Sequence, residues 1–415
     1  MELVIKDASI TGREGLTDIG LEGGEIASIQ PGLKGEKEIS AEGNLVSPSF
    51  YEIHIHLDAI LTEGDPRPNQ SGSLWEGISI WAERVKRLTP EDIRARVLKA
   101  LRWFVAHGVT HIRSHVDICD PSLVAMKTLV EIKKEAAGLI DLQLVAFPQL
   151  GIFSFDGGEE LLQRALEMGA DVVGGIPHYE HTREYGVQDV KFALDLAHRT
   201  GLLADIHCDE TDDDQSRFLE TMAAETIRLK LGGRVAASHT TAMHSYNNAY
   251  ADKIISLVKK SGMHVISNPP DNSVLQGRFD HYPIRRGLTR VKELLAAGVN
   301  VAAGHDSVMD PWYPMGAGDP MHTAFILLHY GMMSGRQDRQ HLFPMLTTRP
   351  AAIWGNPHGL EAGNPADLIV WPVPTEDDAL RTIPPRRYVI KRGRIVAETK
   401  PEKSLVLGET VKFLR

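Results

Sequence analysis

Apolar and polar positions follow two different rhythms along this chain of 415 residues. In the middle, short apolar runs recur, nearly all with a polar residue at or beside their end: "EIHIHL" (52–57), "THIRSHVD" (110–117), "LQLVAFPQ" (142–149) and "DVVGGIPH" (171–178). They continue as "LLADIHCDE" (202–210), "RVAASHTT" (234–241), "HVISNPP" (264–270) and "VNVAAGHD" (299–306). Runs of this length read as strands. The stretches between them, such as "PEDIRARVLKALRWFVAHG" and "GEELLQRALEMG", carry the 3.6-residue period of amphipathic helices. Eight strands separated by helices count out a (β/α)8 barrel of the TIM type. A doubly wound sheet would carry a glycine-rich phosphate turn after its first strand, and the sequence has none there.

The ends read differently. "ELVIKDASIT", "GLTDIGLEGGEIASIQPG" and "KEISAEGNLVSPSF" are short strands punctuated by glycine, and "ADLIVWPV", "RYVIKRGRIVAE" and "SLVLGETVKFL" repeat that style. The expectation is a discontinuous β-sandwich domain from residues 1–47 plus 357–415, and a catalytic barrel over 48–356.

Most of the apolar runs end on His56, Asp117, Gln149, His178, His207, His239 or Asp306. These mark the C-terminal ends of the strands, the face of a barrel that carries chemistry. His54 and His56 are two apart, so on a strand both imidazoles project to one side. Alone, such a pair is as well explained by two satisfied core histidines. With His207, His239 and Asp306 at other strand ends, a metal site is the simpler reading, because imidazole and carboxylate suit zinc, iron and other first-row ions.

The same residues sit in longer motifs: "EIHIHLD", "NQSGSLWEGI", "HVDICD", "LQLVAFPQLGI", "HCDETDDDQSRF", "SHTTAMHSYN", "LQGRFDHYPIRRGLTRVKELL" and "GHDSVMDPWYPMG". This set resembles the amidohydrolase superfamily, and within it the cytosine deaminase branch, from about residue 52 to 316; "GNPADLIVW" fits the family's β end-domain. Two-metal relatives carry a carboxylated lysine on the fourth strand. Here that run is "DVVGGIPH", without lysine. The resemblance therefore implies one divalent ion per chain, Fe2+, Zn2+ or Mn2+, held by His54, His56, His207 and Asp306. A divalent ion can lower the pKa of its water toward about 7.

The resemblance also assigns roles. Glu210 shuttles protons to the ring nitrogen and the leaving nitrogen, His239 holds the attacking water, and Asp306 accepts its proton. Gln149 binds the pyrimidine C2 carbonyl and N1–H, for which an amide offers the matching acceptor and donor. Trp312 packs near the ring or closes the pocket. His178 is read either as a substrate-pocket residue or, the preferred reading, as a solvated loop histidine, and Asp209 with Asp212–Asp214 as a solvated acidic loop. Relatives read "GHDD" where this chain reads "GHDS", so Ser307 replaces a carboxylate beside a ligand, and "NPPDNSV" departs as well. The expected activity is deamination of a free pyrimidine base, 5-methylcytosine to thymine or cytosine to uracil. Isoguanine deamination, s-triazine aminohydrolysis and cyclic amide hydrolysis are alternatives on the same scaffold. A non-catalytic metal-binding protein is the alternative of another class, and retention of Glu210 and all the ligands speaks against it.

Composition narrows the partners. A net charge of -10 disfavours a nucleic-acid backbone. No run of 18 apolar residues suggests a membrane span. Two cysteines, Cys119 and Cys208, cannot build a disulfide framework. With no secretory signal in "MELVIKDASITG", the expectation is a cytoplasmic enzyme, assembled as a homo-oligomer, whose partner is a small pyrimidine base.

Overall fold

The computed structural model describes residues 1–356 and 358–400, with Leu405–Val406 and Glu409–Thr410. Most of the segment "SLVLGETVKFL" lies outside the described residues. Five short strands come first: β1 (Leu3–Ala8), β2 (Thr17–Glu22), β3 (Glu25–Ile29), β4 (Lys37–Ser40) and β5 (Val46–Pro48). Eight more follow: β6 (Phe50–Ile55), β7 (Val109–Asp117), β8 (Asp141–Phe147), β9 (Val172–Val173), β10 (Leu203–Cys208), β11 (Val235–His239), β12 (His264–Ser267) and β13 (Val301–Ala303). The last three used below are β14 (Leu368–Val370), β15 (Tyr388–Lys391) and β16 (Arg394–Glu398).

Strands β6 to β13 form one parallel sheet in chain order. Its two edges meet at the mouth: Asp306 N–H donates to the His54 carbonyl at 2.8 Å, and His56 N–H donates to the Asp306 carbonyl at 3.1 Å. The sheet thus closes through three of the expected metal ligands. Each of the eight apolar runs supplies one of these strands.

The helices outside the barrel form for local reasons. Helix Pro90–Ala106 has proline in its first turn, Thr89 capping the Asp92 N–H, and one buried face of Ile93, Val97, Ala100, Leu101 and Phe104. That stripe packs with β6, β7 and their neighbours in the main core. The bottom of the barrel interior is filled by Ile53, Ala236, Ile266 and Ala302 against Ile353.

The chain ends build two four-stranded sheets, ordered β3-β2-β1-β4 and β16-β15-β14-β5. They share one core, in which Leu3, Ile5, Ile19 and Val46 from the start of the chain meet Leu368, Val370 and Ile390 from its end. Lys391 is buried in the seam with the barrel, bonded to Asp367 at 2.8 Å and to Asp141 at 2.7 Å, where Asp141 begins β8. This seam lies at the N-terminal ends of the strands, so the opposite mouth is left for the site.

Candidate active site

At the C-terminal mouth, His54, His207, His239 and Asp306 are all buried, and one ligand atom from each lies within 4.8 Å of the others. His56 Nε2 stands 3.2 Å from His207 Nε2 and 3.4 Å from Asp306 Oδ1, and His54 Nε2 is also 3.4 Å from Asp306 Oδ1. Atoms about 2.0–2.2 Å from one tetrahedral ion stand roughly 3.3–3.6 Å apart, so these spacings fit a common cation. His54 Nε2 is buried without a hydrogen-bond partner. Burial, with the neighbouring imidazoles, holds His207 well below the usual histidine range and hence neutral, as ligation requires. The donor set fits one divalent ion.

Backbone strain gathers here. His239 and Asp306 adopt φ of +70° and +74°, a region non-glycine residues rarely enter. Asp306 is fixed there by its backbone bonds to β6 on both sides. Such conformations cost of order 1–3 kcal/mol each and persist where the surroundings over-determine them.

His54 is oriented from below. Its Nδ1 lies 2.8 Å from Ser238 Oγ, which donates to Asp205 Oδ1 at 2.6 Å. Arg113 Nη1 donates to Asp205 Oδ2 at 2.8 Å, and Arg113 Nη2 to the Ile353 carbonyl at 3.1 Å. This chain fixes the tautomer that turns His54 Nε2 to the mouth. Glu52, also buried, accepts from the His54 and His305 N–H groups at 3.2 and 2.9 Å and so ties β6 to the loop after β13. Burial pushes its carboxyl up to about 8.

A narrow cavity opens beside these ligands. His56, His207, Glu210, Asp271, Asp306 and Ser307 line it together with Gln149, His178, Phe147, Leu74, Ile78 and Trp312. All the expected site residues except His54 and His239 thus line it, and those two lie beneath in the ligand cluster. Burial, reinforced by the charge of Asp306, pushes the Glu210 carboxyl well above the usual carboxylate range. Asn272 Nδ2 reaches Glu210 Oε1 at 3.2 Å and His239 Nδ1 at 3.0 Å, tying the two groups together. Trp312 is 7% exposed. It fills the space over Gly77, where a Cβ would come within 2.4 Å of its ring, so helix Leu74–Arg84 lies directly on it.

Two expectations are corrected. His178 is not a solvated loop residue: its ring lines the cavity, its Nδ1 is buried, and burial lowers its pKa to about 4. β9 is only two residues long and runs into Gly174 and Gly175, so the chain bends back toward the mouth; a Cβ on Gly174 would sit 2.4 Å from the Ala146 carbonyl oxygen. Asp209 is not solvated either. It is fully buried and accepts from Ser216 Oγ at 2.7 Å and from the Phe218 and Leu219 N–H groups at 3.0 and 2.9 Å, pinning the start of helix Phe218–Leu229. Asp212 is half-buried and accepts from Gly277 N–H at 2.7 Å; Asp213 and Asp214 are exposed.

Sequence reasoning passed over Glu52, Arg113, His115, Asp205, Ser238, Asp271 and Asn272. A signal existed for several of them. Arg113, His115 and Asp117 alternate along β7, and Asp205 precedes His207 by two on β10, the spacing that places polar groups on one strand face.

Comparison with known proteins agrees with this geometry. Residues 80–397 match the model of the amidohydrolase family. The crystal structure of 5-methylcytosine deaminase from Klebsiella pneumoniae, liganded with 5-fluorocytosine, superposes with a TM-score of 0.95 at 46% identity, covering 98% of this chain and 100% of that one. N-isopropylammelide isopropyl amidohydrolase from Pseudomonas sp. (strain ADP) is 30% identical, over 96% of this chain and 97% of the relative. A pterin deaminase from Rhizobium rhizogenes strain K84 is 29% identical over 94% of this chain and 90% of the relative.

Proposed function

Since the chain belongs to the amidohydrolase family, an enzyme family acting here on C–N bonds, we propose that it is a metal-dependent deaminase of free pyrimidine bases, converting 5-methylcytosine and water to thymine and ammonia. Cytosine is its second substrate. His54, His56, His207 and Asp306 hold one divalent ion, iron, zinc or manganese, in a cytoplasmic enzyme. When bound, that ion supplies a water of lowered pKa as nucleophile near neutral pH.

The chain's own residues do the rest. Gln149, which lines the cavity with the ligands, presents an amide to the C2 carbonyl and N1–H and so turns C4 toward Asp306. Asp306 accepts the proton of the attacking water, and His239 holds that water in line. Glu210 delivers a proton to N3 as the C4–O bond forms. The ionised Glu210 then takes up the proton released as the C4 hydroxyl becomes the C4 carbonyl and passes it to the amino nitrogen, which departs as ammonia as the C4–N bond breaks; the proton left on Asp306 restores Glu210. A buried carboxyl with a raised pKa suits both deliveries. Trp312 and helix Leu74–Arg84 cover the ring and limit access of bulk water.

The observation that carries the choice of base is Ser307. It is 2% exposed, follows the ligand Asp306 directly and lines the cavity with a small, uncharged side chain. An aspartate there would join Asp271, Asp306 and Asp310 and would place a desolvated carboxylate against a 5-methyl group. A methyl in a fitted pocket is worth about 10- to 200-fold in discrimination. The test compares kcat/KM for cytosine and 5-methylcytosine in the wild type and in Ser307→Asp. The substitution should depress 5-methylcytosine turnover at least about tenfold more than cytosine turnover. Equal losses, or a wild type that ignores 5-methylcytosine, would remove Ser307 as selector.

A further inference from the structure

Asp271 stands at the reacting end of the cavity without a function in the scheme above. It lies in the first turn of helix Pro269–Leu275, directly after β12, and is only 3% exposed. Its side chain lines the cavity together with Glu210, Asp306 and Ser307. One oxygen each of Glu210, Asp271 and Asp306 lies within 4.8 Å of the other two. Glu210 Oε1 accepts from Asn272, and Asp306 Oδ1 faces the imidazoles of His54 and His56. Asp271 Oδ1 has no hydrogen-bond partner although it is buried. A buried carboxyl oxygen without a donor is destabilising, and it is sustained where a ligand supplies the donor.

The same cavity is lined by one amide, Gln149, and by three carboxyl groups, Glu210, Asp271 and Asp306. A donor-rich group belongs beside the carboxyl groups. The exocyclic amino group of an aminopyrimidine carries two N–H donors, one more than Glu210 can take while it manages the ring nitrogen. We propose that Asp271 is a substrate-binding residue that accepts a hydrogen bond from the exocyclic amino group and keeps it as that nitrogen leaves as ammonia. This rests on the deaminase reading and adds to it a recognition element for the amino group itself. The keto product carries an oxygen acceptor in place of the amino group, so the acceptor oxygen of Asp271 makes no hydrogen bond to it. Asp271 therefore favours substrate over product at the same ring position.

The test measures binding, in metal-loaded protein of verified metal content. Turnover is blocked by Glu210→Gln so that 5-methylcytosine survives the titration, and thymine is titrated in parallel. Adding Asp271→Val should weaken 5-methylcytosine about two- to tenfold, as for loss of one hydrogen bond, and leave thymine unchanged or tighter. Asp271→Asn retains one acceptor oxygen and should fall between; it carries the test should the valine variant not fold. Equal weakening of both ligands would overturn the proposal by making Asp271 a structural residue, as would no weakening of either. Loss of metal from Asp271→Asn would also overturn it, by assigning the carboxyl to the metal cluster. If the Glu210→Gln protein with Asp271 intact binds neither ring, the deaminase reading itself falls.

Discussion

His178 shows how one side chain's surroundings set its chemistry. Facing the cavity with its Nδ1 buried, it is neutral at pH 7, because burial depresses its pKa from 6.5 to about 4. The unfolded chain takes up a proton as the pH falls through about 6.5, while the folded one does so only near 4. Stability supplied by the neutral ring is therefore complete above pH 6.5 and is lost between there and pH 4, at about 1.4 kcal/mol per unit. His178→Gln removes this titration. Chemical denaturation at pH 7 and pH 5 should show the variant losing about 2 kcal/mol less than the wild type over that interval. Equal losses would mean that burial does not hold His178 neutral. Nothing in the apolar pattern of "DVVGGIPH" distinguished this cavity residue from a loop one. The bend after β9 depends on how closely Gly174 packs on β8, a contact between segments far apart in sequence. Asp209 was obscure for a similar reason: in the run "DETDDD" it looks like its solvated neighbours, and only the returning helix start at Phe218 and Leu219 reveals its partners.

The strands carry the legible part of the site. Their number, their order and the ligands at their ends follow from short apolar runs closing on His, Asp or Gln, because a parallel barrel buries both strand faces and opens only at the strand ends. Less legible were polar residues inside strands. Arg113, Asp205 and Ser238 form a chain across β7, β10 and β11 that ends on His54, and their pairing needs the barrel's order in space. Such support typically contributes 10- to 100-fold to metal affinity. Ser238→Ala should weaken the ion about that much in a chelator competition, because His54 Nδ1 loses its partner and Asp205 a donor. Ser238→Thr, which keeps the hydroxyl, should recover most of it. Unchanged affinity in Ser238→Ala would show that the ligand needs no support from β11.

The whole molecule separates stability from chemistry along the barrel axis. Both chain ends share one core beside the barrel, and the Lys391–Asp367–Asp141 cluster fixes that unit to the start of β8. The opposite mouth gathers the strained His239 and Asp306, the unpartnered His54 Nε2 and Asp271 Oδ1, and the raised carboxyl of Glu210. Among the described residues, no helix is long and apolar enough to cross a membrane. The central claim is that this mouth, loaded with one divalent ion, removes the amino group of 5-methylcytosine. The direct measurement quantifies thymine and ammonium formed from 5-methylcytosine by the metal-loaded protein, and again after the ion is stripped by a chelator. One ammonium should appear per thymine, formation should stop in the stripped protein, and it should return on adding Fe2+, Zn2+ or Mn2+. Undiminished turnover in the stripped protein, consumption of the base without ammonium, or no thymine at all from the loaded protein would contradict the account.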